Sequence, residues 1–268
     1  MLPIGLQLTL FDRGASGVPT RNNPVQPLLT SYDDSIKTRF GFESCSATFD
    51  ASPAEALDWL RAGLLRHMES TKPNGGLRWG GTLYSITITY GPIRIARSLE
   101  NMANRITVAY ATDGGEHGKT TTVTSAASIA EYGTKDLLID LSTVDAAAAT
   151  NRGLTELGVL AWPQSDDATE LGGRDGGGCT VELVGVGYYE LLDWVLTTNT
   201  AQTLTATNTQ TANLITIYNA VNNYFSTDTS GIVATGISDT VYTEPLTSNR
   251  EKLETILSIG TSAHEQHT

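Results

Sequence analysis

Apolar and polar positions alternate with period two along much of the first 110 residues, the signature of half-buried strands. Leu6–Phe11 (LQLTLF) predicts the first strand. Phe40–Phe49 predicts another, with Phe40, Phe42, Cys45, Ala47 and Phe49 as its apolar set, and the change of parity between Phe42 and Cys45 predicts a bulge. Leu77–Tyr90 (LRWGGTLYSITITY) alternates most strongly, and its paired glycines predict a bend. Ile93–Ala96 and Arg105–Ala111 follow as further strands. Between these runs, Asp12–Thr30 carries Gly14, Gly17, Pro19, Pro24 and Pro27 and reads as a stiff arm suited to a neighbour's surface.

Helical spacing first appears after Ser52. Ser52-Pro53-Ala54-Glu55 places Ser at the N-cap, Pro at the first helical position and Glu at the third, a capping box. The run that follows sets Ala56, Leu57, Leu60, Leu64 and Met68 on one face, with Trp59 nearby, and predicts a helix Pro53–Met68 that carries His67. Beyond residue 112 strands and helices alternate. The pattern predicts a helix Ser125–Tyr132 closed by Gly133, a strand Leu137–Leu141, a helix Val144–Leu160 and a strand Cys179–Val184 after the glycine-rich Gly172–Gly178. A Thr/Asn/Gln linker, Gln202–Gln210, precedes an amphipathic helix Thr211–Phe225 and a last helix Asn249–Ile259. No internal repeat emerges.

Composition narrows the classes. The 268 residues carry 17 Lys+Arg against 29 Asp+Glu, a net charge of −12. That balance opposes a basic stripe for nucleic acid and opposes docking on an anionic membrane. Hydrophobic content of 40% with 17% charge excludes a disordered chain. No run approaches the ~18 apolar residues of a membrane span, and MLPIGLQLTLFDRG lacks the basic start of a secretory signal. Cys45 and Cys179 alone cannot make a disulfide framework or a zinc finger. Abundant Thr, Ser, Asn and Gly favour a β-rich, extracellular or virion-type protein.

No constellation assembles into a catalytic, cofactor-binding or metal site. Gly118-Lys119-Thr120 matches the end of a phosphate loop, but Asp113 stands where the first glycine belongs. The residues after it are β-formers, so no helix dipole faces a phosphate, and a polar hairpin turn is the better reading. Asp166, Asp167, Glu170 and Asp175 cluster without the spacing of a calcium loop. His67, His117, His264 and His267 are scattered, and no zinc-hydrolase or nucleophile-elbow motif occurs. Trp79, Trp162, Tyr188, Tyr189 and Trp194 lie beside strands or glycine turns and read as core and corner residues, a stacked sugar platform being the alternative.

Four stretches resemble the tail-tip and baseplate hub proteins of long-tailed bacteriophages. Trp79-Gly80-Gly81-Thr82-Leu83 and the strand to Tyr90 resemble their tryptophan–glycine element. Asn101–Tyr110 resembles the segment that leads into an excursion away from the barrel. Ser128-Ile129-Ala130-Glu131-Tyr132-Gly133-Thr134-Lys135-Asp136 carries the most recognisable match, and Val181–Trp194 resembles their strand, glycine turn and aromatic corner. The resemblance spans roughly residues 77–260. It implies an α+β, β-rich fold of tail-tube-like β-barrel domains with an α/β insertion. The division expected is 1–111 for a first barrel with the arm and an added helix, 112–200 for the insertion and the start of a second barrel, and 201–268 for an α/β portion that begins a longer protein.

In function the resemblance implies a structural, non-enzymatic subunit of the virion. As a homotrimeric ring it joins tail tube to distal tip, contacts a distal tail ring, tape measure and fibres, and lets DNA pass without binding it specifically. No cofactor and no membrane insertion are expected. The second function class is a virion-borne or secreted carbohydrate-binding or cell-wall-degrading protein.

Overall fold

The computed structural model describes residues 5–14, 19–37, 41–112, 114–115, 117–142, 144–166 and 178–194. In chain order its elements are β1 (Gln7–Arg13), β2 (Pro19–Val25), β3 (Leu29–Lys37), β4 (Gly41–Ala51), α1 (Pro53–Ala62), β5 (His67–Thr71), β6 (Leu77–Tyr90) and β7 (Ile93–Ser98). Then come β8 (Arg105–Ala111), β9 (His117–Lys119), β10 (Val123–Thr124), α2 (Ala126–Tyr132), β11 (Asp136–Leu141), α3 (Ala146–Leu160), β12 (Gln164–Asp166), β13 (Cys179–Val186) and a 3₁₀ turn, Tyr188–Trp194. The fold is β-rich α+β. The large sheet runs β2-β1-β5-β6-β13-β4-β3, with β7 beside the second half of β6 and β12 beside β7. The small sheet runs β10-β8-β11 with β9 against β8, and α3 covers it. Buried Gly153 lets α3 approach, since a Cβ there would meet Val108 and Val123 methyls at 3.3 and 3.5 Å.

The large sheet curls. β2 and β3 end the pairing order on opposite sides, yet residues 26–28 alone connect them. Such a link spans at most roughly 13 Å, whereas seven flat strands would set their edges roughly 29 Å apart. Side chains bridge the resulting hollow. Tyr32 on β3 donates its hydroxyl to Ser70 Oγ on β5 at 2.6 Å. Arg78 is the extra residue of a β6 bulge, which lets its Nε reach Asp34 Oδ1 on β3 at 2.8 Å. The interior packs Leu8, Leu10, Cys45, Phe49, Met68, Trp79, Leu83, Ile86, Val181 and Leu183, all at most 2% exposed. Removing the Tyr32 hydroxyl leaves fully buried Ser70 without that donor. Tyr32→Phe should therefore lower stability by about 1–2 kcal/mol in chemical denaturation; an unchanged midpoint would show that the hollow closes without this bridge.

Several expectations change. The expected barrels are not closed: among the described residues β2 and β3 do not pair with each other, so the sheet stays an open curl. The arm is not free, because β2 folds back on β1; its prolines, Pro19 and Pro24, sit on an edge strand where a missing N–H costs nothing. The helix ends at Ala62 rather than Met68. Gly63 caps it, Leu65 turns through φ +65°, and Leu65 N–H pairs instead with Leu83 O at 2.9 Å. Leu64 and Met68 are buried as the pattern required, but from a turn and a strand, while Leu57 is exposed. Sheet pairing also crosses the boundary expected at residue 111: β8 belongs to the small sheet, and β13 returns to the middle of the large one. Residues 201–268, with the helices expected at Thr211–Phe225 and Asn249–Ile259, lie outside the described residues.

Other expectations hold. Ser52 Oγ accepts from Glu55 N–H at the start of α1. The bulge between Phe42 and Cys45 is present in the β3–β4 ladder. The short helix closed by Gly133 is α2, with Gly133 at φ +74°.

Candidate functional site

The small unit enters and leaves the large sheet through neighbours, because β7 and β12 pair antiparallel with Ser98 opposite Gln164. Its attachment is built from the stretch Ser128–Asp136. Asn104, fully buried, donates Nδ2–H to Ser128 Oγ at 3.1 Å and to Gly133 O at 2.7 Å, and its Oδ1 accepts Lys135 N–H at 2.8 Å. The Ser128 hydroxyl in turn donates a hydrogen bond to Ala161 O at the end of α3. One amide thus ties together the start of β8, helix α2, the turn into β11 and the end of α3.

The outward-facing residues of the same stretch hold the large sheet. Tyr132 is buried, and its hydroxyl accepts from Arg97 Nη2 on β7 at 3.0 Å. Arg97 also donates to Leu60 O at 2.8 Å, capping the carbonyl end of α1. The Arg13 guanidinium lies 5.2 Å from the Tyr132 ring centroid, and Arg13 pairs with Glu131 at 3.2 Å. Asp136 forms an ion pair with Arg105.

Lys135 closes the other side of the joint. Tyr84 is the extra residue where β6 slips against β13, its carbonyl accepts Leu99 N–H at 3.0 Å, and the bulge aims its ring at Lys135. The Lys135 ammonium donates to Leu99 O and Glu100 O and lies 5.1 Å from the Trp194 ring centroid. Burial pulls its pKa down to about 8, against the opposing Glu100 charge.

A second network was invisible in the sequence. His67 sits on β5, not on a helix, with Nε2 2.7 Å from Glu69 Oε1 and Nδ1 against the Tyr188 hydroxyl. A carboxylate only accepts, so Nε2 carries the proton and Nδ1 accepts from Tyr188. Arg21 holds Glu69 from β2. Burial lowers the His67 pKa, while Glu69 opposes the shift. A neutral buried histidine takes up its proton less readily than in the unfolded chain, so stability falls as pH drops below about 6.5. Gln in place of His can donate to Glu69 and accept from Tyr188 without titrating. The loss of melting temperature between pH 7 and 5 should thus be shallower in His67→Gln than in the parent; parallel curves would remove His67 from the acid response.

The other residues singled out stay apart. Gly118 and Lys119 lie on β9, paired with β8, and Thr120 N–H bonds Val108 O at 2.9 Å, so a hairpin and no helix follows. His117 and Lys119 border a hollow of about 400 Å³ with Asp140. Asp113, Asp167, Glu170, Asp175, His264 and His267 lie outside the described residues, as does the Asp166 side chain. Among the described residues no three His, Cys, Asp or Glu gather as a metal site, and no helix is long and apolar enough to cross a membrane. Buried Cys45 and Cys179 stand six rungs apart along the β4–β13 ladder, and burial raises both thiols, Cys45 to about 12. Trp79 and Trp194 are core, whereas Trp162 is 43% exposed and meets Tyr132 edge-on. No family model, curated protein or solved structure matches the chain.

Proposed function

We propose that the chain is a structural subunit of a bacteriophage tail tip or baseplate, a hub that joins the tail tube to the distal tip and lets DNA through. One observation carries this reading. The nine residues that most resemble hub proteins, Ser128–Asp136, form the joint between the curled sheet and the inserted α/β unit. On this reading the curled sheet is the tail-tube-like element, and the excursion begun at Asn101–Tyr110 is the insertion. The partners are two further copies in a threefold ring, with tail ring, tape measure and fibres around it. The ring draws on the outer edges of β2 and β3, which pair with no further strand among the described residues, rather than on a free arm.

Particles purified from the source of this chain test the proposal. Gold-labelled antibody against it should mark the distal tail end, and averaged tips should place it around a threefold axis. Label on the capsid, or twofold or sixfold placement, overturns the reading. The net charge of −12 sets a further expectation. Acidic and neutral polar groups should face the axis, because phosphates passing an acidic wall are repelled. Gel shifts at low salt, where attraction is least screened, should show no DNA binding; a micromolar shift would contradict it.

A further inference from the structure

An outer strand offers its unpaired backbone to any passing chain unless prolines, charges, bulges or shortness blunt it. Among the described residues, β2 is broken by Pro19 and Pro24 and joins β1 across bulges. β3 carries Asp33, Asp34 and Lys37 and bulges against β4. β9, β10 and β12 are only two or three residues long. β11 is the exception. It pairs with β8 alone among the described residues, in unbroken register from Asp136 to Leu141. Its sequence, DLLIDL, has no proline and no lysine. Leu137, Ile139 and Leu141 are only half-buried, and Leu138 is 37% exposed. So regular and apolar an edge calls for a cover.

We propose that residues 231–237 of the same chain (GIVATGI) add as a strand to the outer edge of β11. The chain leaves the described residues at Trp194, whose ring centroid lies 5.1 Å from the Nζ of Lys135, the residue just before β11. Residues 195–230 give it ample reach to pass along a six-residue strand and return. Residues 231–237 are uncharged and carry β-branched Ile232, Val233, Thr235 and Ile237, with the turn formers Ser230, Ser238 and Asp239 on either side. Another β-prone stretch, 239–244 (DTVYTE), would bring two carboxylates to an edge that already holds Asp140. The chosen segment also falls between the helices expected at Thr211–Phe225 and Asn249–Ile259, and a strand there gives both a sheet to pack on. This pairing leaves the β2 and β3 edges to neighbouring copies, so it stands whether or not the ring does.

Residue-resolved amide hydrogen exchange on the full chain tests the pairing. Alternate N–H groups of β11 point away from β8 and report on the outer edge. Those amides should exchange at least about 100-fold more slowly than in an unstructured peptide. Exchange within about tenfold of the peptide rate shows a bare edge and overturns the proposal. Protection that grows with protein concentration assigns the edge to a second copy and overturns it too. Val233→Pro, which a paired inner strand does not accept, should return the outward β11 amides to near peptide rates while β6 and β13 stay protected. Unchanged protection of β11 in that variant overturns the named segment. A second series avoids the disruptive proline: Leu138→Cys is combined in turn with a single cysteine at each of residues 231–237. Paired strands bring opposite Cα atoms into disulfide range, and every second residue shares a face. Mild oxidation at high dilution should therefore close an intramolecular disulfide at positions of one parity. Closure at none of the seven positions overturns the proposal.

Discussion

Asn104→Ala should lower stability by about 3–4 kcal/mol, the largest loss from any single polar deletion in the joint. The amide makes three side-chain bonds in a fully buried site, to Ser128 Oγ, Gly133 O and the Lys135 N–H. Alanine removes every one of them. Each buried group left without a partner costs about 1–3 kcal/mol, and a small cavity adds to that. Asn104→Asp separates the two contributions: it keeps the acceptor for Lys135 N–H but loses both donors and buries a charge, so it should be at least as damaging. Ser128→Ala should cost less, about 1–2 kcal/mol, because Asn104 keeps its bond to Gly133 O. Denaturant midpoints read all three. A loss below about 1 kcal/mol for Asn104→Ala would show that the joint does not depend on this amide.

The strands that formed clear alternating runs were legible because one face of each is buried in the curl. β6 and β8 occur with the bounds that the pattern gave. β3 escaped notice because its sequence, LTSYDDSIK, is polar at most positions; its inward residues, Tyr32 and Asp34, are themselves polar and are satisfied by Ser70 and Arg78. The α1 overshoot has a similar cause. Leu64 and Met68 keep helical spacing by sequence, but spacing cannot reveal a left-handed turn at Leu65. Prolines misled at β2, since an edge strand accepts them where an inner strand would not. The joint was half legible. The stretch Ser128–Asp136 stood out as a motif, but its partners Asn104, Arg97 and Arg13 lie 24 to 118 residues away from the positions they hold. Single-sequence periodicity carries no signal for such pairings. The His67–Tyr188 bond, 121 residues long in sequence, failed to show for the same reason.

Gly185→Ala should cost about 1–3 kcal/mol in the native sequence and almost nothing once Trp79 is shortened to Phe. The Trp79 indole is fully buried and lies over two glycines, one on its own strand and one on β13. A Cβ at Gly185 would stand 2.8 Å from Trp79 Cη2 and 2.9 Å from Met68 Sδ, both far ends of side chains. Overpacking of that kind strains rotamers rather than backbone. Phe lacks the outer indole atoms, so Trp79→Phe opens the space that the new methyl fills, at no loss of a hydrogen bond among the described residues, where Trp79 Nε1 has no acceptor. The two substitutions should therefore couple favourably by about 1–3 kcal/mol in a double-mutant cycle. Gly81 behaves differently. A Cβ there would press against the Val186 carbonyl oxygen and stand 2.8 Å from its carbon, which are backbone atoms of the paired strand. Gly81→Ala should cost about 3 kcal/mol or more, and Trp79→Phe should not rescue it. The tryptophan–glycine element is then a packing unit with unequal glycines: Gly185 makes room for the indole, and Gly81 makes room for the neighbouring strand. Additive behaviour of Trp79→Phe with Gly185→Ala, or rescue of Gly81→Ala by Trp79→Phe, would refute that division.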